Sequence, residues 1–154
     1  LMLLLEIHTV LWFLQGAKET EPVRRLIEAA SNTVSVVSLW EAAIKVSVGK
    51  LRLPYAIERL PELCARNSFE LLTPEATDVV GVAKLPWHHR DPFDRLLAVQ
   101  CLTRGLTLVS RDAQFDQYGV KRRWSSTARG RTFAYSPPPG FGVQLLRLRN
   151  PAWF

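Results

Sequence analysis

The residues best suited to chemistry are carboxylates at the ends of apolar runs. Glu6 closes the run Met2–Glu6. Glu41 lies one helical turn past the β-branched run Thr33–Val37, and Asp112 follows the run Leu106–Ser110 by two residues. Asp91 and Asp94 open an apolar segment that reaches Arg104, and their i, i+3 spacing puts them on one helix face. If the runs are parallel strands, topology gathers these acids at one edge, because open α/β sheets bind ligands beyond the carboxyl ends of their strands. Such a cluster repels itself unless cations neutralise it. Oxygen ligands with few histidines suit Mg²⁺ or Mn²⁺ rather than zinc. Two such ions about 3.5–4 Å apart activate water and stabilise the leaving oxygen in phosphodiester cleavage.

Each acid except Glu6 also has a local explanation. Ser38-Leu39-Trp40-Glu41 reads as a capping box, with Glu41 satisfying the Ser38 N–H. Asp91 before Pro92 is a good N-cap, Asp94 suits the first-turn helix dipole, and Asp112 suits the cap of a short turn. Glu6 ends an apolar strand, where no backbone task is evident. The residues alone leave both readings open.

The elements that must position these acids follow from periodicity and turn chemistry. Met2–Glu6 is too short for a core helix and reads as a buried strand, followed by a short helix from His8 to Gln15. Thr20 is expected to cap a second helix, with Pro22 in its first turn. Thr33–Val37 reads as the second strand, and Ser38 as the start of a helix to Val48 with Gly49 beyond it. An amphipathic helix over Pro54–Arg66, a strand at Phe69–Leu72 and a helix over Pro74–Lys84 follow. The segment from Asp91 to Arg104 is apolar around much of its circumference and should be buried, with Gly105 as its stop. Leu106–Ser110 is the fourth strand and Asp112–Tyr118 a short helix or turn. Strands alternating with helices predict an α/β fold, a central parallel sheet of four to five strands covered by helices on both faces.

Composition narrows the function classes. The 154 residues suit one compact domain, residues 1–124, with an extension over 125–154. The net charge of +6 is unevenly spread: residues 1–120 hold 13 basic and 14 acidic side chains, whereas residues 121–154 hold seven basic and none acidic. The high pI therefore belongs to the tail and gives the main domain no nucleic-acid signature. Two readings fit the Pro-rich tail. One, which we favour, is a read-through or frame-shifted end. The other is an RNA-binding arm using Arg129, Arg131, Arg147 and Arg149. A short strand over Val143–Leu148 is expected within it. Cys64 and Cys101 form no CxxC pair and read as buried thiols in a cytoplasmic protein. The opening LMLLLEIH lacks a basic n-region and is interrupted by Glu6 and His8, so neither a signal peptide nor a membrane span is expected. His88 and His89 read as a solvated loop pair or as contacts to phosphates. Trp12, Phe13 and Trp40 read as core.

Four segments, in order and spacing, resemble the motifs of VapC-type PIN-domain toxins. They are LLLEIHTVLWFL, VSVVSLWEAAIKVSVGKLRLP, LPWHHRDPFDRLLAVQC and LTLVSRDAQFDQYGV, within Leu3–Trp124. The resemblance implies a PIN fold and an Mg²⁺- or Mn²⁺-dependent endoribonuclease. It implies Glu6, Glu41, Asp94 and Asp112 as the catalytic, metal-binding quartet. Asp91 follows as an accessory acid, Ser110 as a hydroxyl beside the last acid, and Arg95 as a partner of a carboxylate or phosphate, with a structural ion pair preferred. It further implies an RNA substrate, a cognate VapB-like antitoxin that blocks the site, a homodimer, and contact with operator DNA only through the antitoxin. The family pattern has Asp at the position of Glu6. Glutamate adds a methylene and a rotatable bond where ligands must be held within about 0.5 Å.

Overall fold

The structure is a computed structural model that describes residues 1–125. The expected tail strand Val143–Leu148 and the four tail arginines lie outside the described residues.

Five parallel strands form one sheet in the order β3-β2-β1-β4-β5. They are β1 Met2–Leu5, β2 Ser31–Ser35, β3 Phe69–Leu72, β4 Thr107–Val109 and β5 Arg122–Arg123. Their connections carry α1 Ile7–Leu14, α2 Arg24–Ala29, α3 Val36–Ser47, α4 Leu60–Arg66, α5 Ala76–Gly81 and α6 Pro92–Arg104. β1 is central, with Leu4 level with Thr33 on one side and Leu108 on the other. Successive side chains alternate between faces, so β1 feeds two cores. Leu3 and Leu5 join Val10, Leu11, Ile27, Ala42 and Leu60 on one face. Leu4 joins Leu97, Ala98, Cys101, Leu108 and Phe115 on the other. This two-sided burial is why the strand reads as an unbroken leucine run. The chain builds outward from β1 through β2 to β3, then returns to β4 on the opposite side. The strand order therefore reverses between β1 and β4, where ligand crevices form.

Several boundaries differ from expectation. β2 ends at Ser35 rather than at Val37, and α3 begins at Val36 rather than at Ser38. Ser35 is the N-cap, its hydroxyl accepting from the Val37 N–H at 3.2 Å. Val36 and Val37 look like strand in sequence but are the first helical turn, because the upstream serine satisfies the orphan donor. Thr20 does not cap α2. It ends a 3-10 turn, Lys18–Thr20, and donates to the Ala17 carbonyl. The helix expected over Pro54–Arg66 is helical only from Ile57, first as a 3-10 turn and then as α4. Likewise, Pro74–Lys84 resolves into α5 and a 3-10 turn at Val82–Lys84. β5 consists of two arginines and carries no strand signal. Arg122 anchors it by reaching both oxygens of Asp116 and the Ser110 carbonyl.

Trp40 is a further correction. It is 59% exposed rather than core, and it meets Phe93 edge-on. Val36, Trp40, Ile44 and Val48 form an exposed apolar row along α3 and its C-cap. Phe13 does pack on the core, against Phe69, while Trp12 is half-buried and lies against Trp124. Cys64 and Cys101 are buried free thiols. Among the described residues no helix is long and apolar enough to cross a membrane.

Candidate metal centre

The ends of β1 and β4 and the starts of α1, α3 and α6 deliver the acids to one crevice. Glu6 is the first residue after β1, and its N–H donates to the Val109 carbonyl, tying it to the end of β4. It does have a backbone task, contrary to expectation. It caps α1 by accepting from the His8 N–H at 3.1 Å. The same oxygen meets His8 Nδ1 at 2.5 Å. Burial alone would raise the Glu6 carboxyl, but His8 and then Lys45 outweigh it and hold it below the usual range. Burial lowers His8 and Glu6 reverses this, leaving the imidazole raised.

Glu41 lies in the second turn of α3 and is buried. The capping-box reading fails, because Ser38 is inside the helix and does not cap it. Glu41 Oε1 takes a close ion pair from Lys45, one turn on, and Glu41 Oε2 has no hydrogen-bond partner. Burial raises the Glu41 carboxyl, Lys45 opposes this, and Glu6 and Asp91 add to it. The hydroxyl of Ser38 is likewise buried and unpartnered.

Asp91 is the N-cap of α6, accepting from Phe93 N at 2.8 Å and more weakly from Asp94 N at 3.4 Å. Asp94, in the first turn, is the most perturbed acid. Burial, then the charges of Asp91, Glu6, Glu41 and Asp112, hold its carboxyl well above the ordinary range. One side chain thus senses the other four predicted acids, so they share one electrostatic site. Asp112 caps the 3-10 segment Ala113–Tyr118 through the Gln114 N–H at 2.8 Å. Its other oxygen lies 3.3 Å from His89 Nε2. His89 above all, with help from Gln114 and Arg122, keeps the Asp112 carboxyl low against the effect of burial. Ser110, buried at the end of β4, accepts from the Asp112 N–H and so orients that acid.

Arg95 does not join the cluster. The residue is 3% exposed, and its guanidinium donates to the carbonyls of Val82, Leu85, Pro86 and His89. The Trp87 ring covers it at 4.0 Å. The expected ion pair is replaced by carbonyl contacts that pin the segment 82–89. A planar fork with five donors is what lets one side chain satisfy so many.

Two site residues escaped sequence reasoning. Lys45 had a readable signal, since i, i+4 after Glu41 is the favourable orientation for an ion pair. His89 had none, because Trp87-His88-His89-Arg90 is irregular and shows no periodicity. It is buried rather than solvated, so the solvated-pair reading fails for it. Its imidazole stands between Asp94 and Asp112, with donor atoms of all three residues within 4.8 Å of one another. The unpartnered Glu41 oxygen and His89 nitrogen, beside a destabilised Asp94, fit a cation in this crevice.

The PIN domain family model matches residues 4–121. The chain belongs to the PIN-domain family. That family consists generally of nucleases, and the acidic crevice lies within the matched span. No curated protein matches by sequence. Among solved structures, this PIN domain is similar to VapBC2 from Rickettsia felis bound to a DNA fragment from its promoter. The TM-score is 0.59 at 13% identity, covering 80% of this chain and 98% of that one. It is also similar to FitAB bound to an IR36 DNA fragment, with a TM-score of 0.57 at 16% identity, covering 79% and 94%. At these identities the likeness is one of fold.

Proposed function

We propose that this PIN domain is the toxin of a VapC-like toxin–antitoxin pair, a metal-dependent endoribonuclease. The observation that carries the reading is the half-buried Asp94, with carboxylate and imidazole atoms of Asp112 and His89 within 4.8 Å and its carboxyl pushed up by burial and four other acids, at the strand-order reversal of a parallel sheet. Glu6, Glu41, Asp94 and Asp112 are the residues that would hold Mg²⁺ or Mn²⁺. Such a cation supplies an activated water and charge stabilisation for phosphodiester hydrolysis. The chain's own part is placement. The starts of α1 and α6 and the 3-10 turn after β4 fix Glu6, Asp91 and Asp112 through cap hydrogen bonds. Lys45 holds Glu41 in the crevice and offsets part of the negative charge. Ser110 fixes the backbone of Asp112, and Asp91 adds negative potential beside Asp94.

The neighbours VapBC2 and FitAB are toxin–antitoxin complexes bound to DNA, which supports a VapB-like antitoxin partner and operator contact through it. A homodimer and an RNA substrate belong to the same reading. A second reading is a PIN domain that binds its antitoxin but no longer cuts. It draws on Glu6, whose longer side chain is committed to His8 and to the cap of α1.

The deciding experiment incubates antitoxin-free protein with a mixed RNA pool in Mg²⁺ or Mn²⁺, with EDTA and Asp94→Asn as controls. Metal-dependent cleavage lost in the variant is the expected result. Absence of cleavage by folded wild type overturns the nuclease reading, and rescue by Glu6→Asp would assign the loss to the longer acid.

A further inference from the structure

His89 combines three features that a structural histidine does not need together. Its side chain is 8% exposed, Nε2 lacks a hydrogen-bond partner, and both ring nitrogens face carboxylate oxygens. Nδ1 lies 3.5 Å from Asp94 Oδ2 and Nε2 lies 3.3 Å from Asp112 Oδ2. The ring is firmly held. It stacks on Tyr118 at 14° between planes and tilts against Phe115 at 5.2 Å, and the His89 backbone N–H donates to the Tyr118 hydroxyl at 2.7 Å. Arg95 secures the preceding segment through its carbonyls. A neutral imidazole carries one N–H, so either tautomer turns a bare lone pair toward a carboxylate oxygen. A lone pair facing a carboxylate oxygen in this half-buried crevice is relieved by a cation placed between them.

We infer that His89 is a metal ligand: Nε2 joins Asp112 on the cation while Nδ1–H leans on Asp94. The inference rests on the reading of the crevice as a metal centre. Directing the second ring N–H to a carboxylate is the usual way a ligating histidine is oriented. The separation of Nε2 from Asp112 Oδ2 is also of the size set by two ligands on one ion, since bonds of about 2.0–2.2 Å leave donors about 3 Å apart. A nitrogen ligand changes which ion the site prefers. Carboxylate and water suit Mg²⁺ and Mn²⁺ alike, whereas imidazole favours a transition ion, so the centre takes Mn²⁺ over Mg²⁺.

The test uses the full chain, free of antitoxin, with Mn²⁺ alone as the probe. Mn²⁺ binding is titrated by electron paramagnetic resonance, and ¹⁴N couplings are read from the electron spin-echo modulation. Wild type should bind Mn²⁺ with a directly ligated ¹⁴N. His89→Gln should lose that coupling and roughly tenfold or more in Mn²⁺ affinity, with a smaller loss for Mg²⁺ measured by competition. His89→Asn serves as the second variant should the first fail to fold. Mn²⁺ bound by wild type without ¹⁴N coupling overturns the inference while leaving the carboxylate centre standing. Coupling that persists in both variants assigns the nitrogen elsewhere and also overturns it. Tighter Mn²⁺ binding in the variants would make His89 a plug between the acids, with the same result. No Mn²⁺ binding at all removes both the inference and the metal-centre reading beneath it.

Discussion

Asp94→Asn should stabilise this protein when metal is absent. In the folded chain Asp94 is half-buried at the start of α6, and desolvation, then Asp91, Glu6, Glu41 and Asp112, push its carboxyl upward. Two like unit charges about 8 Å apart repel by roughly 2 kcal/mol at an effective dielectric of about 20. Repulsion from the four acids that act on Asp94 exceeds the favourable interaction of a first-turn acid with the α6 dipole, about 0.3–1 kcal/mol. Lys45 and His8 offset part of the repulsion, since they pair with Glu41 and Glu6. The net gain on removing the charge should be about 1–2 kcal/mol, or roughly 2–6 °C in Tm for a domain of this size. The effect carries a pH signature. A carboxyl raised by folding keeps its proton in the native state after the unfolded chain has lost it. Metal-free wild type therefore loses stability as pH rises from about 4, the unfolded value, through the folded value. Asp94→Asn should lack that component, so its advantage appears above the folded value and fades in acid. Thermal melts in EDTA across pH 4–8 measure this. Excess Mn²⁺ should reverse the order, because a ligand at about 100 times its Kd stabilises by about 2.7 kcal/mol only where it binds. An asparagine variant that melts lower than wild type in EDTA at neutral pH would refute the crowding of charges on which the site rests.

Three other expectations concern the frame around the site. Asp78 is buried and paired through both oxygens with Arg104 at 2.7 Å. Arg104 chiefly, against burial, lowers its carboxyl. Its contribution is fully present above about pH 4 and lost as pH falls through the lowered folded value. Asp78→Asn should lose about 2–4 kcal/mol in urea unfolding at pH 7, and less at pH 3. A loss independent of pH would argue against the pair. Arg95→Met should strip donors from four carbonyls and lose about 3–5 kcal/mol, with faster amide exchange over residues 82–89. Arg95→Lys should recover only part, for want of the planar fork, and full recovery would contradict the multi-carbonyl role. Burial pushes the thiols of Cys64 and Cys101 up to about 11 and about 12. Native protein should therefore react with a disulfide reagent only on unfolding. Prompt labelling at pH 8 would contradict it.

Much of this architecture is legible in one dimension because it depends on local pattern. The leucine run of β1 announces burial on both faces. Asp91-Pro92 announces the start of α6, and Gly105, with φ of 64°, ends it as a residue without a Cβ can. The acids could be assigned to one edge without distances, because parallel strands all present their carboxyl ends on the same side. Other features required the chain to be folded. From the sequence Ser38 reads as the start of α3, yet Ser35 is its N-cap. The packed helix exposes Trp40 and buries Ser38 and Glu41, a face that no local cap signal specifies. The tasks of Arg95 and His89 are set by contacts between segments distant in sequence, with Tyr118 lying 29 residues from His89. No period or spacing encodes such contacts. Whether a charged side chain pairs with a carboxylate, a carbonyl or a metal is decided by what surrounds it once water has been excluded.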